Sequence, residues 1–167
     1  MKKLNCLNQV KDFHQTFEVP VLRKPVLPPA ERAELRVSLI QEELDELSQA
    51  IKAGDLVEVA DALCDLQYVI SGAVLEFGLG RKFSGLFDEV HRSNMSKACE
   101  TQQEALATIS HYKKKDGTEA MYKPVGDKWV VYRMSDNKVL KSINYSPANF
   151  ENLLSPKISG SVQKSVK

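Results

Sequence analysis

Two groups of acidic residues at helical spacing carry the chemistry that can be read from this chain: Glu42, Glu43 and Glu46, then Glu58, Asp61 and Asp65. At about 100° per residue, Glu43 and Glu46 share one helical face, and Glu58, Asp61 and Asp65 form a second stripe. The acids are set among apolar residues, as in Leu39-Ile40-Gln41-Glu42-Glu43-Leu44 and Val57-Glu58-Val59-Ala60-Asp61-Ala62-Leu63, so carboxylates approach a core. Crowded carboxylates away from water repel one another and lose hydration, which protonation, a basic partner or a bound cation relieves. A hard divalent ion, Mg²⁺ or alternatively Mn²⁺, suits an all-oxygen donor set. Facing one another across an antiparallel helix pair, Glu43, Glu46, Glu58 and Asp61 would form a four-carboxylate cage of the kind built inside helical bundles. Spacing alone fits solvated surface acids equally well, with Glu58 serving only as a capping residue. The Glu-x-x-His pattern of di-iron bundles is missing from both segments, which argues against iron and redox chemistry.

Positioning these acids requires two helices joined by a sharp turn. Pro28-Pro29 can introduce a helix from Ala30 to Ala53, Gly54 can end it, and Asp55 can cap a successor reaching about Phe77. Upstream, Leu4, Leu7, Val10, Phe13 and Phe17 recur every three or four residues and predict an amphipathic helix, followed by a proline-rich connection over 19–29. Downstream, helices are expected over 84–97 and 101–114, the second opened by Thr101 with Glu104 and ending on Lys113-Lys114-Lys115. Past Asp116-Gly117 the period changes: residues 119–125 and 128–133 flank Gly126-Asp127, and Lys138-Val139-Leu140-Lys141 follows a turn, giving a β-hairpin or three-stranded meander. The expected fold is therefore mainly α. A helical domain of four or five helices covers 1–115, a small β appendage packed on the helical body covers 116–154, and a flexible tail covers 155–167.

Composition narrows the function classes. The 167 residues, 43% apolar and 27% charged, suffice for one well-packed core plus an appendage. A formal charge of +1 argues against a nucleic-acid partner, and Cys6, Cys64 and Cys99, odd in number and without CxxC spacing, point to buried free thiols in a reducing compartment. The most apolar stretch, near Leu66 to Leu79, is too short and polar to span a bilayer, so a cytoplasmic location without membrane attachment is expected.

Three ordered motifs, Arg36-Val37-Ser38-Leu39-Ile40-Gln41-Glu42-Glu43-Leu44-Asp45-Glu46, Glu58-Val59-Ala60-Asp61-Ala62-Leu63-Cys64-Asp65 and Glu89-Val90-His91-Arg92-Ser93-Asn94-Met95-Ser96-Lys97, resemble the MazG-like all-α nucleoside triphosphate pyrophosphohydrolases. The resemblance spans roughly residues 10–97 and includes an ExxE, spacer, ExxD pattern at Glu43/Glu46 and Glu58/Asp61. Members carrying Asn-Met-Ser-Lys also end in a segment like Lys138-Val139-Leu140-Lys141-Ser142-Ile143-Asn144-Tyr145-Ser146-Pro147. This implies a homodimer or dimer of dimers that uses Mg²⁺ to hydrolyse a nucleoside triphosphate, deoxy or non-standard, to the monophosphate and pyrophosphate. It makes Glu43, Glu46, Glu58 and Asp61 metal ligands and Glu42 a further ligand or the base that orients water. Asp65, one turn beyond Asp61, is read as an acid supporting the ligands from behind or as a salt-bridge partner, to Arg36 or Lys97. Asn94 and Lys97 would grip the triphosphate with help from Arg92, and Phe13, His14 and Phe17 would wall the nucleoside, although core packing accounts for the phenylalanines equally well. Phosphoribosyl-ATP pyrophosphohydrolase shares this pattern and is the nearest alternative; a helical module that only dimerises is the non-enzymatic one.

Overall fold

Gly54 and Asp55 make the turn on which the site depends. Gly54 adopts a left-handed conformation (φ 70°) and donates its N–H to Ile51 O at 3.2 Å, ending α2 (Ala30–Ala53). Asp55 caps α3 (Leu56–Glu76), its carboxylate accepting from the N–H of Val57 at 2.9 Å and of Glu58 at 3.3 Å. These helices pack closely on each other, and α1 (Cys6–Thr16) packs on α3. The computed structural model describes residues 4–154, so the tail expected over 155–167 lies outside the described residues.

The chain divides into two compact units, one up to Phe83 and the other from Ser84 onward, so the division falls at the start of the fourth helix. The first unit holds α1, α2 and α3. Its interior is small and polar: Val10, Ala50, Ala62, Val74 and Leu75 are buried beside His14, Arg36, Ser71 and Glu76. The Glu76 carboxylate, 1% exposed, receives Arg32 Nε at 3.2 Å and also pairs with Arg32 Nη2 and Arg36 Nη2. One buried charge thereby ties two turns of α2 to the end of α3. Gly72 makes room for this cluster, because a Cβ there would lie 2.8 Å from Arg36 Nη1 and 3.1 Å from His14 Nε2.

The second unit begins with α4 (Phe83–Met95) and continues through α5 (Gln102–Asp116) to β1 (Ala120–Val125) and β2 (Lys128–Arg133). The strands pair antiparallel from Ala120↔Arg133 to Val125↔Lys128 across Gly126-Asp127, with Gly126 at φ 61° as a tight two-residue hairpin demands. They rest on α5 over a core of Cys99, Ala105, Val131 and Leu140. The third strand of the meander shrinks to a single bridge, Tyr132↔Val139. Beyond it the chain turns back towards α4, where Ser142 N–H donates to Lys97 O at 3.1 Å. A last short helix, α6 (Glu151–Leu154), closes the described residues. The buried-thiol expectation holds for Cys99 alone, since Cys6 is half-buried and Cys64 exposed on α3. No described helix is long and apolar enough to cross a membrane.

Candidate active site

The acids of α2 and α3 collect in the first unit around Glu43. Its carboxyl is held above the usual range by desolvation and by the negative charges of Asp65, Glu46, Glu42 and Asp61, in that order. Glu43 Oε2 is buried and has no hydrogen-bond partner. Near the α2–α3 turn, Glu46, Glu58 and Asp61 line one hollow of about 460 Å³ together with Asp55. On the other flank of Glu46, exposed Glu42 and Asp45 border a shallow depression of about 960 Å³ floored by Ala33, Val37 and Phe77. Among the described residues no three His, Cys, Asp or Glu side chains stand close enough to enclose a metal ion, so the four carboxylates form an open patch and not a closed cage.

The structure distinguishes roles that spacing leaves equivalent. The Asp55 N–H, which a Glu58 capping box would occupy, donates to Ala50 O at 3.1 Å, so the Glu58 carboxylate is not used in capping and faces the hollow with Glu46 and Asp61. Asp65, read from sequence as a partner of Arg36 or Lys97, partners neither: Arg36 is bound to Glu76, and Lys97 Nζ donates to Asn94 Oδ1 at 2.7 Å. Asp65 is instead the strongest charged neighbour of Glu43. The signal was present in the sequence, because Asp61 and Asp65 are i, i+4 neighbours on one stripe.

The α1 residues separate into two environments. Phe13 and Phe17 are 41% and 62% exposed, so they do not pack in the core; their rings lie 4.4 Å apart, and Phe13 meets Tyr68 edge-on at 5.6 Å. That leaves an open aromatic wall. His14 points the other way, buried against the Arg36–Glu76 cluster with Nδ1 3.0 Å from Pro20 O. Burial, assisted by Arg36, lowers its pKa against the opposing effect of the Pro20 carbonyl.

In the second unit, Asn94 and Lys97 bind each other, which leaves the Asn94 amide nitrogen as a further donor. Every guanidinium nitrogen of Arg92 has a protein partner: Nε and Nη2 donate to Glu89, Nη1 to Ser146 Oγ at 3.0 Å, and Nη2 also to Pro147 O at 3.0 Å. The pairing with Arg92, with help from the Asn149 N–H, holds the Glu89 carboxyl down at about 2. Arg92 therefore fastens the segment after Tyr145 to α4, a use that its position in the motif does not reveal.

Residues 10–94 match the phosphoribosyl-ATP pyrophosphohydrolase family, which lies within the MazG-like all-α superfamily. The chain belongs to that family. It is also 36% identical over 121 residues to an uncharacterized protein of Acanthamoeba polyphaga mimivirus. That alignment covers 66% of this chain and 48% of the viral protein, so the chain spans about half the length of this relative. The matched residues include every acid of the patch together with Phe13, His14, Phe17, Arg92 and Asn94.

Proposed function

We propose that the protein hydrolyses a nucleoside triphosphate, deoxy or non-standard, to the monophosphate and pyrophosphate, with Mg²⁺, or Mn²⁺ in its place, held by Glu43, Glu46, Glu58 and Asp61. The observation that carries this reading is the half-buried Glu43 carboxyl: its Oε2 atom is buried without a hydrogen-bond donor, and four other acids surround it. A carboxylate in that state is destabilised unless a cation or proton joins it, and a donor set made only of carboxylate oxygens suits a hard divalent ion. When bound, the ion would supply charge neutralisation for the phosphate oxygens and a water of lowered pKa. Asp65 joins the proposal as a further acid beside Glu43. Glu42, exposed and adjacent to Glu43 in sequence but displaced around the helix, is assigned as the base that orients the attacking water or as an additional ligand. The Phe13–Phe17 wall is assigned to the nucleobase, and Asn94 and Lys97 are assigned to phosphate oxygens as amide and ammonium donors. The Asn-Met-Ser-Lys run supports assigning the chain to the branch of the superfamily whose members carry it.

The apolar residues left exposed on the first unit support a homodimer or dimer of dimers. Val37 and Ile51 on α2 and Leu56 and Val57 on α3 are each more than half exposed, more apolar surface than two packed helices leave open unless another chain covers it. A formal charge of only +1 accords with small-molecule substrates, and a cytoplasmic location is part of the proposal.

A second reading is favoured by the family match itself: phosphoribosyl-ATP as the substrate. A panel of ribo-, deoxyribo- and modified nucleoside triphosphates plus phosphoribosyl-ATP, followed by pyrophosphate release, separates the two. Turnover of several triphosphates supports the first reading, and turnover of phosphoribosyl-ATP alone replaces it with the second. No pyrophosphate from any member, with Mg²⁺ or Mn²⁺, would leave the non-catalytic dimerisation module.

A further inference from the structure

The first unit contains a second polar site whose charge is opposite to that of the acidic patch. A cavity of about 300 Å³ lies where α1, the proline-rich connection and the turn after α3 meet. Lys11, Arg23 and Arg81 line it together with Asn8 and Gln15, above an apolar floor that includes Leu75, and no acidic residue borders it. Asn8, Lys11 and Gln15 form one polar stripe of α1, adjacent to the buried Val10–His14 face. Among the described residues none of the three cations takes part in an ion pair.

The walls of this cavity are fixed in place. Leu22 N–H donates to Leu75 O at 3.0 Å and Val26 N–H to Phe77 O at 3.1 Å, so the connection carrying Arg23 runs hydrogen-bonded along the end of α3. Gly78, at φ 67°, permits this approach: a Cβ there would fall 1.9 Å from Lys24 O. The cavity lining thereby draws Arg23 from the connection, Arg81 from the turn after α3 and Lys11 from α1. Three cations gathered around a small cavity repel one another and are relieved by a multiply charged anion. Planar guanidinium groups match the oxygens of phosphate, and a dianion offsets more of the charge than a monocarboxylate does.

We propose that this cavity binds a phosphate dianion, free or as a small phosphomonoester, between Lys11, Arg23 and Arg81. The site stands apart from the acidic patch, since the helical rise from Asp61 to Leu75 is about 20 Å. It does not depend on the pyrophosphohydrolase reading.

The test is calorimetric titration of the full chain with sodium phosphate, adenosine monophosphate and adenosine, at constant ionic strength with EDTA present. Phosphate and the monophosphate are expected to bind saturably below about 10 mM, and adenosine is not. Equal affinity for the first two identifies free phosphate as the ligand, whereas monophosphate binding roughly tenfold tighter identifies the ester. The combined change Arg23→Gln and Arg81→Gln is expected to weaken binding roughly tenfold or more. Lys11→Gln, on an exposed turn of α1, shifts it in the same direction and guards against misfolding of the arginine variant. Glu43→Gln leaves the phosphate affinity unchanged. Absence of saturable binding, binding that survives both cavity variants, adenosine binding as tight as its monophosphate, or an affinity lost only with Glu43→Gln would each overturn the proposal.

Discussion

Replacing Glu76 with Gln tests whether a buried charge cluster sets the geometry of the α2–α3 pair. The change keeps the shape and removes the charge. Arg36, whose side chain is 9% exposed, then retains a buried guanidinium with no counter-ion, and its Nε is already without a partner. Arg32 is 35% exposed and can turn to solvent, so its share is discounted. Removing one partner from a buried ion pair costs about 3–5 kcal/mol, and that loss is assigned to Arg36–Glu76, whereas Arg32→Gln is expected to cost about 1 kcal/mol or less. Urea unfolding followed by circular dichroism, at one fixed protein concentration so that any dimer dissociation is held constant, reads both values. A loss below about 1 kcal/mol for Glu76→Gln, or equal losses for the two variants, would refute the reasoning.

Gly72→Ala is expected to lower the stability read from the same unfolding curve by about 1–3 kcal/mol despite the better helix propensity of Ala, because the new Cβ meets the pinned Arg36 Nη1 at 2.8 Å; a gain in stability would show that the cluster yields. Acid should destabilise the protein in two stages. His14 and Glu76 both titrate below their ordinary values of 6.5 and 4.5 when folded, His14 through burial and Glu76 because its two arginines outweigh the burial that opposes them. Their contributions are complete above those values and are lost as pH falls through the lowered folded ones, so melting temperature should decline first below about 6.5 and again below about 4.5. His14→Gln should remove the first stage, and an unchanged profile would contradict the assignment. Glu43 has the opposite sign. Its folded pKa is raised, so in EDTA the wild type loses stability as pH rises through that value, and Glu43→Gln should melt higher than wild type at neutral pH. A lower melting temperature would mean that the carboxylate is satisfied by some group other than a cation.

The elements that hold the acids were readable because local rules decide them. Gly54 and Asp55 set the boundary between α2 and α3, and the Asp61–Asp65 stripe follows from helical period alone. Glu76 was not readable. It lies at the C-terminal end of α3 with nothing local to mark it, and its partners Arg32 and Arg36 stand 44 and 40 residues earlier on another helix. The same tertiary pairing took Arg36 away from Asp65, and Arg92 was committed to the segment 146–147, which lies far along the chain. Apolar rhythm on α1 assigned Phe13 and Phe17 as readily to the core as to a ligand, and only the packing of Val10 and His14 against α3 decided which side faces inward. From sequence α5 looks like a continuation of the bundle, while the core it serves is built with Cys99, Val131 and Leu140, which lie outside any helix.

Saturable binding of Mg²⁺ and Mn²⁺ by the metal-free protein, measured calorimetrically at neutral pH for wild type and Glu43→Gln, bears most directly on the claim that these carboxylates gather to hold a cation. Wild type should bind saturably, since the neighbouring acids that raise the Glu43 carboxyl favour a cation beside it, and the variant should bind at least roughly tenfold more weakly. Indistinguishable isotherms for the two proteins, or no saturable heat from either, would contradict it.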